Sequence, residues 1–294
     1  MTGDLFDHYK RCVDFIKGDL SRFGYLGVMN LLVMYIFFFM YQFVAIFISF
    51  FIFIPIIILS IGFVLLMEGV LGIVIGIFLI ILGGILLLAI IALFIATIVI
   101  MWAVIGGLNI FISEKLHSMG DGKKIILTKL LREAYDRKKE LAEKGVKLML
   151  AYLLVSMPVT LFIILLSFGM MMVMFLALPA MAMDPFVATP VILIMILVFS
   201  LIAVLIYPVF FVLMFFQDMT AIQMADGKDV KEAAWTSLRT IRRSKKGVLL
   251  YCLGLFFIIL AMNFLFPLAI LAQGFLTIVS KSFIMANPEL FNEE

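Results

Sequence analysis

DGKDVKEAAWTSLRTIRRSKKG, residues Asp226 to Gly247, is a charged helix set in a chain that is otherwise nearly all hydrocarbon. Asp at the start caps a helix and suits its positive dipole end. Acids come first (Asp226, Asp229, Glu232) and bases last (Arg239, Arg242, Arg243, Lys245, Lys246), the order the helix dipole favours. Val230, Ala234, Leu238, Ile241 and Val248 form an apolar stripe with Trp235 at its edge. Gly247 then opens a long apolar run. This reads as a helix lying at a membrane surface and handing the chain into the bilayer.

The same plan occurs earlier. Asp121-Gly122-Lys123 aligns with Asp226-Gly227-Lys228, and both triplets read as tight helix-to-helix turns with Gly in the left-handed position. The earlier stripe is Leu127, Leu130, Leu131, Ala134 and Leu141, followed by Gly145 and another apolar run. Residues 121–147 carry nine bases and five acids, residues 226–246 seven and three, so each is +4. Residues 1–22 are a weaker version, with a stripe of Leu5, Tyr9, Val13, Ile16 and Leu20. The chain therefore divides into one integral membrane domain, residues 1–294, of three repeat units near 1–112, 113–217 and 218–294.

Composition agrees. Of 294 residues, 66% are hydrophobic and only 14% charged, against about 25% in soluble domains. Mean hydropathy is +1.27. Many runs exceed the roughly 18–20 residues that cross a bilayer, and none alternates as barrel strands do. The predicted fold class is all-α: a polytopic transmembrane bundle with three amphipathic cytoplasmic helices and an internal repeat. No basic start precedes an apolar core, so no cleavable signal is expected.

Lys and Arg fix the expected orientation. Four lie in residues 1–22, ten in 113–147 and seven in 218–246, with Lys281 alone near the end. The positive-inside rule places the three clusters and the amino terminus in the cytoplasm of a multi-pass cell-membrane protein. The spans expected are 24–53, 85–112, 145–176, 191–216 and 247–274. A break, LPAMAMDPFVATP (Leu178–Pro190), carries Asp184 outside. Between Pro55 and Gly83-Gly84 remains an apolar insert with Glu68-Gly69 at its middle, whose arms are each too short to cross. It reads as a re-entrant hairpin, and the acidic tail as external. Five spans plus a hairpin result; seven spans is the alternative.

Within GKDVKEAAWTSLRTIRRSKKGVLLYCLGL, the elements Gly227, Glu232-Ala233, Ser237, Arg242-Arg243 and Gly247 carry a resemblance. The segment resembles the membrane domains fused to bacterial glycerophosphodiester phosphodiesterases and related stand-alone membrane proteins of bacteria and archaea. The likeness covers about 25 residues and implies architecture and a prokaryotic membrane rather than chemistry, because the phosphodiesterase activity of those fusions resides in a separate soluble barrel. The earlier copy departs from the pattern, with Arg132-Glu133-Ala134-Tyr135 in place of the Glu-Ala-Ala-Trp-Thr-Ser run.

Chemistry-bearing residues are few. His8 and His117 lie on different surface segments and Cys12 and Cys252 in different settings, with no ligand or triad spacing. Six methionines in Gly169–Met183 read as adaptable packing rather than a copper site. No cofactor and no enzymatic activity are expected. Glu68, an ionisable group expected near mid-membrane, is a candidate polar site, with Asp184 on the outer side. The other candidate is the basic belt: Arg239, Arg242, Arg243, Lys245 and Lys246, with Arg137, Lys138 and Lys139 in the earlier copy. Expected partners are membrane lipids, anionic ones above all, with a cytoplasmic protein or a second copy as the other candidates and no nucleic acid. The reading is a non-enzymatic, lipid-organising or partner-docking membrane protein; the alternative is a transporter or channel component working through Glu68.

Overall fold

The computed structural model describes residues 2–118, 126–183, 185–264 and 268–291, and every regular element in them is helical. In order they are α1 (Thr2–Gly18), α2 (Leu20–Phe51), α3 (Phe53–Leu65), α4 (Gly69–His117), α5 (Leu127–Asp136), α6 (Lys138–Met183), α7 (Pro185–Ala225), α8 (Val230–Arg243), α9 (Lys245–Phe264) and α10 (Leu268–Ala286), with a 3₁₀ turn at Pro288–Leu290. The chain is an all-α, multi-pass membrane protein. Among the described residues, Leu20–Leu65, Gly69–His117, Lys138–Gly169 and Ile206–Ala225 are long and apolar enough to cross a bilayer, and α8 with α9 adds a bent pair.

The molecule has a packed base and two long arms. At the base, Phe215, Tyr251, Leu255 and Phe283 form one apolar cluster and Leu26, Phe111, Leu116, Leu130 and Ile278 another. Helices meet there through glycine. A Cβ on Gly145 would lie 2.3 Å from the Ala103 carbonyl oxygen, and one on Gly106 2.4 Å from the Gly145 oxygen, so α4 and α6 touch backbone to backbone. Gly145 is thus inside α6, where it makes a helix contact rather than opening a span.

The first arm corrects the expected insert. α3 carries on from α2, and α4 runs unbroken through Gly83-Gly84. Pro55 falls in the first turn of α3, where a missing N–H costs little. The glycines let the two helices close on each other: Gly62 faces Gly76, and Gly83 faces Leu59 and the Pro55 carbonyl. The hairpin is therefore the outer half of two continuous helices of 46 and 49 residues, about 70 Å each against a hydrocarbon core of about 30 Å. In the second arm, α6 extends to Met183 and α7 starts at Pro185, so twelve residues of the expected 13-residue break are helical; Asp184 lies outside the described residues. Pro185 suits the first helical position.

The tail is the other correction. α9 leaves the base and α10 returns to it. His8 Nδ1 lies 2.9 Å from Asn287 Oδ1, and Arg11 pairs with Glu289. Gly247 lies under the Leu290 carbonyl and the Phe291 ring. The carboxyl-terminal segment thus sits on the same end as α1, and an odd number of crossings with an external tail does not fit. α1 is also rotated from its expected stripe. It buries His8 and Cys12 and leaves Val13 of the stripe exposed, while Tyr9 and Ile16 stay packed against the base. His8, expected on the surface, is held by the tail. Burial pushes the Cys12 thiol up to about 12, leaving it inert at neutral pH.

Candidate functional site: the basic elbow and the polar cluster beneath it

The turn before α8 follows from its sequence. The Lys228 N–H donates to the Gln223 carbonyl and the Gly227 N–H to that of Met224, at 3.1 and 3.2 Å. This is a Schellman end to α7, and it requires the left-handed φ of +90° that Gly227 supplies. Asp229 then caps α8, its carboxylate accepting from the Lys231 N–H. The counterpart turn at Asp121–Lys123 lies outside the described residues.

α8 docks mainly through small residues beside its apolar stripe, with Val230 and Ile241 of the stripe packed partly against the core. Ala233, Ser237 and Thr240 are buried, and the Thr220 hydroxyl donates to Ser237 Oγ at 3.0 Å. Val230, Ala234 and Leu238 are only half-buried, and Trp235 is 63% exposed. Small residues bring α8 close to α7, and the larger apolar residues remain at its side.

After Ser244 the chain turns sharply, and α8 and α9 are bent by 94°. α8 therefore lies across the direction of the helix it feeds. At this elbow Arg239, Arg242, Arg243, Lys245 and Lys246 are all exposed. Among the described residues, no ion pair engages Arg239, Arg242, Arg243 or Lys245.

The earlier basic segment differs. Arg137 forks onto Glu114, at 2.6 and 3.1 Å, and onto Glu140. Lys144 and Lys147 pair with Glu140 and Glu143, each at 2.7 Å, and Lys115 pairs with Glu133. These contacts hold the Glu140 carboxyl down at about 2, through Arg137 first and Lys144 second. The Lys138 ammonium stands over the Tyr135 ring at 3.8 Å, a cation–π contact, and Lys139 is exposed.

Glu68 does not join either group. It stands at the N-cap of α4, exposed, on a turn whose neighbours Met67 and Val70 are 91% and 83% exposed. Asp184 lies outside the described residues.

Sequence reasoning missed a buried polar cluster under the elbow. Asp218 Oδ2 accepts from the Tyr251 hydroxyl at 2.8 Å and also from Ser280. Lys281 Nζ lies 3.4 Å from Asp218 Oδ1 and donates to Ser113 Oγ at 3.0 Å; Lys281 is fully buried. Four helices, α4, α7, α9 and α10, meet on this pair. The signal available was Lys281 inside Ser-Lys-Ser, a lone base in a helix with no other charge. Arg22 is also buried and bonds Ser118 at the carboxyl end of α4, where a cation meets the negative end of the dipole.

Among the described residues, no group of three or more His, Cys, Asp or Glu could hold a metal. The arrangement offers fixed positive charge at a right-angled helix junction, above a fully bonded ion pair. No family model, no curated protein and no solved structure matches the chain.

Proposed function

We propose that this chain is a non-enzymatic integral membrane protein that gathers anionic lipid headgroups at the α8–α9 elbow, on the cytoplasmic face. The observation that carries this is the elbow itself: a helix set across the one it feeds, ending in exposed bases of which Arg239, Arg242, Arg243 and Lys245 have no ion-pair partner among the described residues. If α9 crosses the bilayer, α8 lies along its surface at headgroup level. Each such base contributes about 1 kcal/mol next to an anionic leaflet. The orientation is supported by the bases themselves. Among the described residues, every Lys and Arg belongs to segments gathered at the base, and the turn at Glu68 has none.

The resemblance fits the same division of labour. Gly227, Ala233, Ser237 and Gly247 serve the turn and the packing, whereas Arg242 and Arg243 are left facing outward. The three charged segments are read as joints of one repeated unit, and only the last of them as the lipid-gathering one.

The test is lipid enrichment. The full chain is placed in nanodiscs of phosphatidylglycerol and phosphatidylcholine and re-extracted, and the retained lipids are counted by mass spectrometry. Replacing Arg239, Arg242, Arg243 and Lys245 by Gln is expected to remove most of the phosphatidylglycerol enrichment. Undiminished enrichment in that variant counts against the reading. Loss of a bound protein or of a second copy instead would move the function to partner docking.

A further inference from the structure

Beside the elbow, α6 and α8 enclose a groove of about 460 Å³. Its walls are Leu150 and Leu154 from α6 and Val230, Trp235 and Leu238 from α8, with small alanines between them. The only charged residues lining it are Lys147 and Lys231. We propose that this groove is a built site for one acyl or isoprenoid chain of an anionic membrane lipid, with its phosphate at Lys231. The proposal rests on the lipid reading of the elbow and gives it a discrete seat.

The helix faces argue for it. α8 is fixed to α7 by Ala233 and Ser237, with Val230 packed partly on the same core, so the protein does not need the Trp235–Leu238 stripe for docking. That stripe and the facing residues stay open: Leu154 is 71% exposed and Trp235 63%. Size decides against a protein helix as occupant. A helix about 10 Å across would fill this volume in roughly one turn, too little for a stable contact, whereas a lipid tail is narrow enough to lie along it. Charge decides the headgroup. Glu143 already holds Lys147 at 2.7 Å, while among the described residues no acid engages the Lys231 ammonium. Trp235 beside the rim has the amphipathic ring favoured at a membrane–water boundary. The 94° bend sets α8 across α9, so a chain beneath α8 runs into hydrocarbon from a headgroup at the level of the bases.

The experiment is native mass spectrometry of the full chain released from nanodiscs of phosphatidylglycerol and phosphatidylcholine. The wild type is expected to keep one phosphatidylglycerol after the others are stripped. Ala234→Trp, which fills the groove, is expected to lower that occupancy at least tenfold. Lys231→Glu, an exposed change that leaves packing alone, is expected to remove the preference for phosphatidylglycerol. The elbow variant with four glutamines keeps the last lipid while losing the general enrichment, so the two readings fail separately. Unchanged occupancy in Ala234→Trp, or equal retention of phosphatidylcholine by the wild type, overturns the proposal. A second protein chain in place of the lipid also overturns it.

Discussion

Arg137, Lys144 and Lys147 precede one long apolar run and Arg239, Arg242, Arg243 and Lys245 precede another, and both segments carry a net charge of +4. In the first, Glu114, Glu140 and Glu143 take up Arg137, Lys144 and Lys147, while Lys138 rests on the Tyr135 ring and Lys139 has no ion pair among the described residues. In the second the acids stand at the opposite end of the helix, where Asp229 and Glu232 serve the amino-terminal turn of α8. Equal net charge therefore says little about available charge. What matters is whether the acids lie three or four residues from the bases, within reach on a helix, or two turns away. The first segment ties α4, α5 and α6 together; the second presents its charge to something else.

The limiting case is Lys281, a base with no solvent at all, paired with Asp218. Lys281→Met leaves that carboxylate buried without its cation. It is expected to cost about 3–5 kcal/mol, read as a large drop in the detergent melting temperature. Replacing Asp218 as well, in Lys281→Met/Asp218→Asn, is expected to recover part of the loss.

The glycine that follows each segment is the next contrast. Gly145→Ala drives a Cβ to 2.3 Å from the Ala103 carbonyl, where neither helix backbone can yield. Gly247→Ala meets the Leu290 carbonyl and the Phe291 ring at 2.8 Å, at the end of the chain. Overpacking costs about 1–3 kcal/mol, with Gly145→Ala at the upper end and Gly247→Ala at the lower. Equal losses in thermal unfolding would mean that the tail is fixed as firmly as the α4–α6 contact.

Single charges give smaller effects. Arg137→Gln is expected to cost about 1 kcal/mol or less in stability, since its fork is partly exposed, and to leave lipid binding unchanged. Arg242→Gln is expected to stay within about 0.5 kcal/mol in stability and to weaken lipid enrichment instead. A double dissociation in these two readouts sharpens the contrast; the same profile for both breaks it.

Acid pH gives the smallest effect and touches one segment only. The Glu140 carboxyl is held at about 2 in the fold, below its ordinary value near 4.3. The carboxylate therefore adds stability that is complete above about pH 4.3 and lost as pH falls through about 2. Because Glu140 is 46% exposed, the amount is under about 1 kcal/mol. Glu140→Gln is expected to flatten that part of the pH–stability curve, whereas Arg242→Gln leaves its shape alone.

Much of this was legible in the sequence. The Asp226-Gly227-Lys228 turn, the helix after it and the gathering of bases at one end follow from local chemistry. The continuity of the first arm was not legible, because Pro and Gly-Gly read as breaks until Gly62, Gly76 and Gly83 are seen to face a partner helix. The docking face of α8 was hidden for a related reason: the apolar stripe is conspicuous, while small residues such as Ala233 and Ser237 do the packing. The Asp218–Lys281 pair joins distant helices, and no local period encodes it. His8 likewise finds its partner, Asn287, at the far end of the chain.

The most direct test of the central claim is the phosphatidylglycerol enrichment of the elbow variant, with Arg239, Arg242, Arg243 and Lys245 replaced by Gln, against a variant with Arg137, Lys138 and Lys139 replaced by Gln. The first variant is expected to lose most of its enrichment and keep its melting temperature, while the second keeps its enrichment. Equal loss of enrichment in both, or none in either, would contradict the claim.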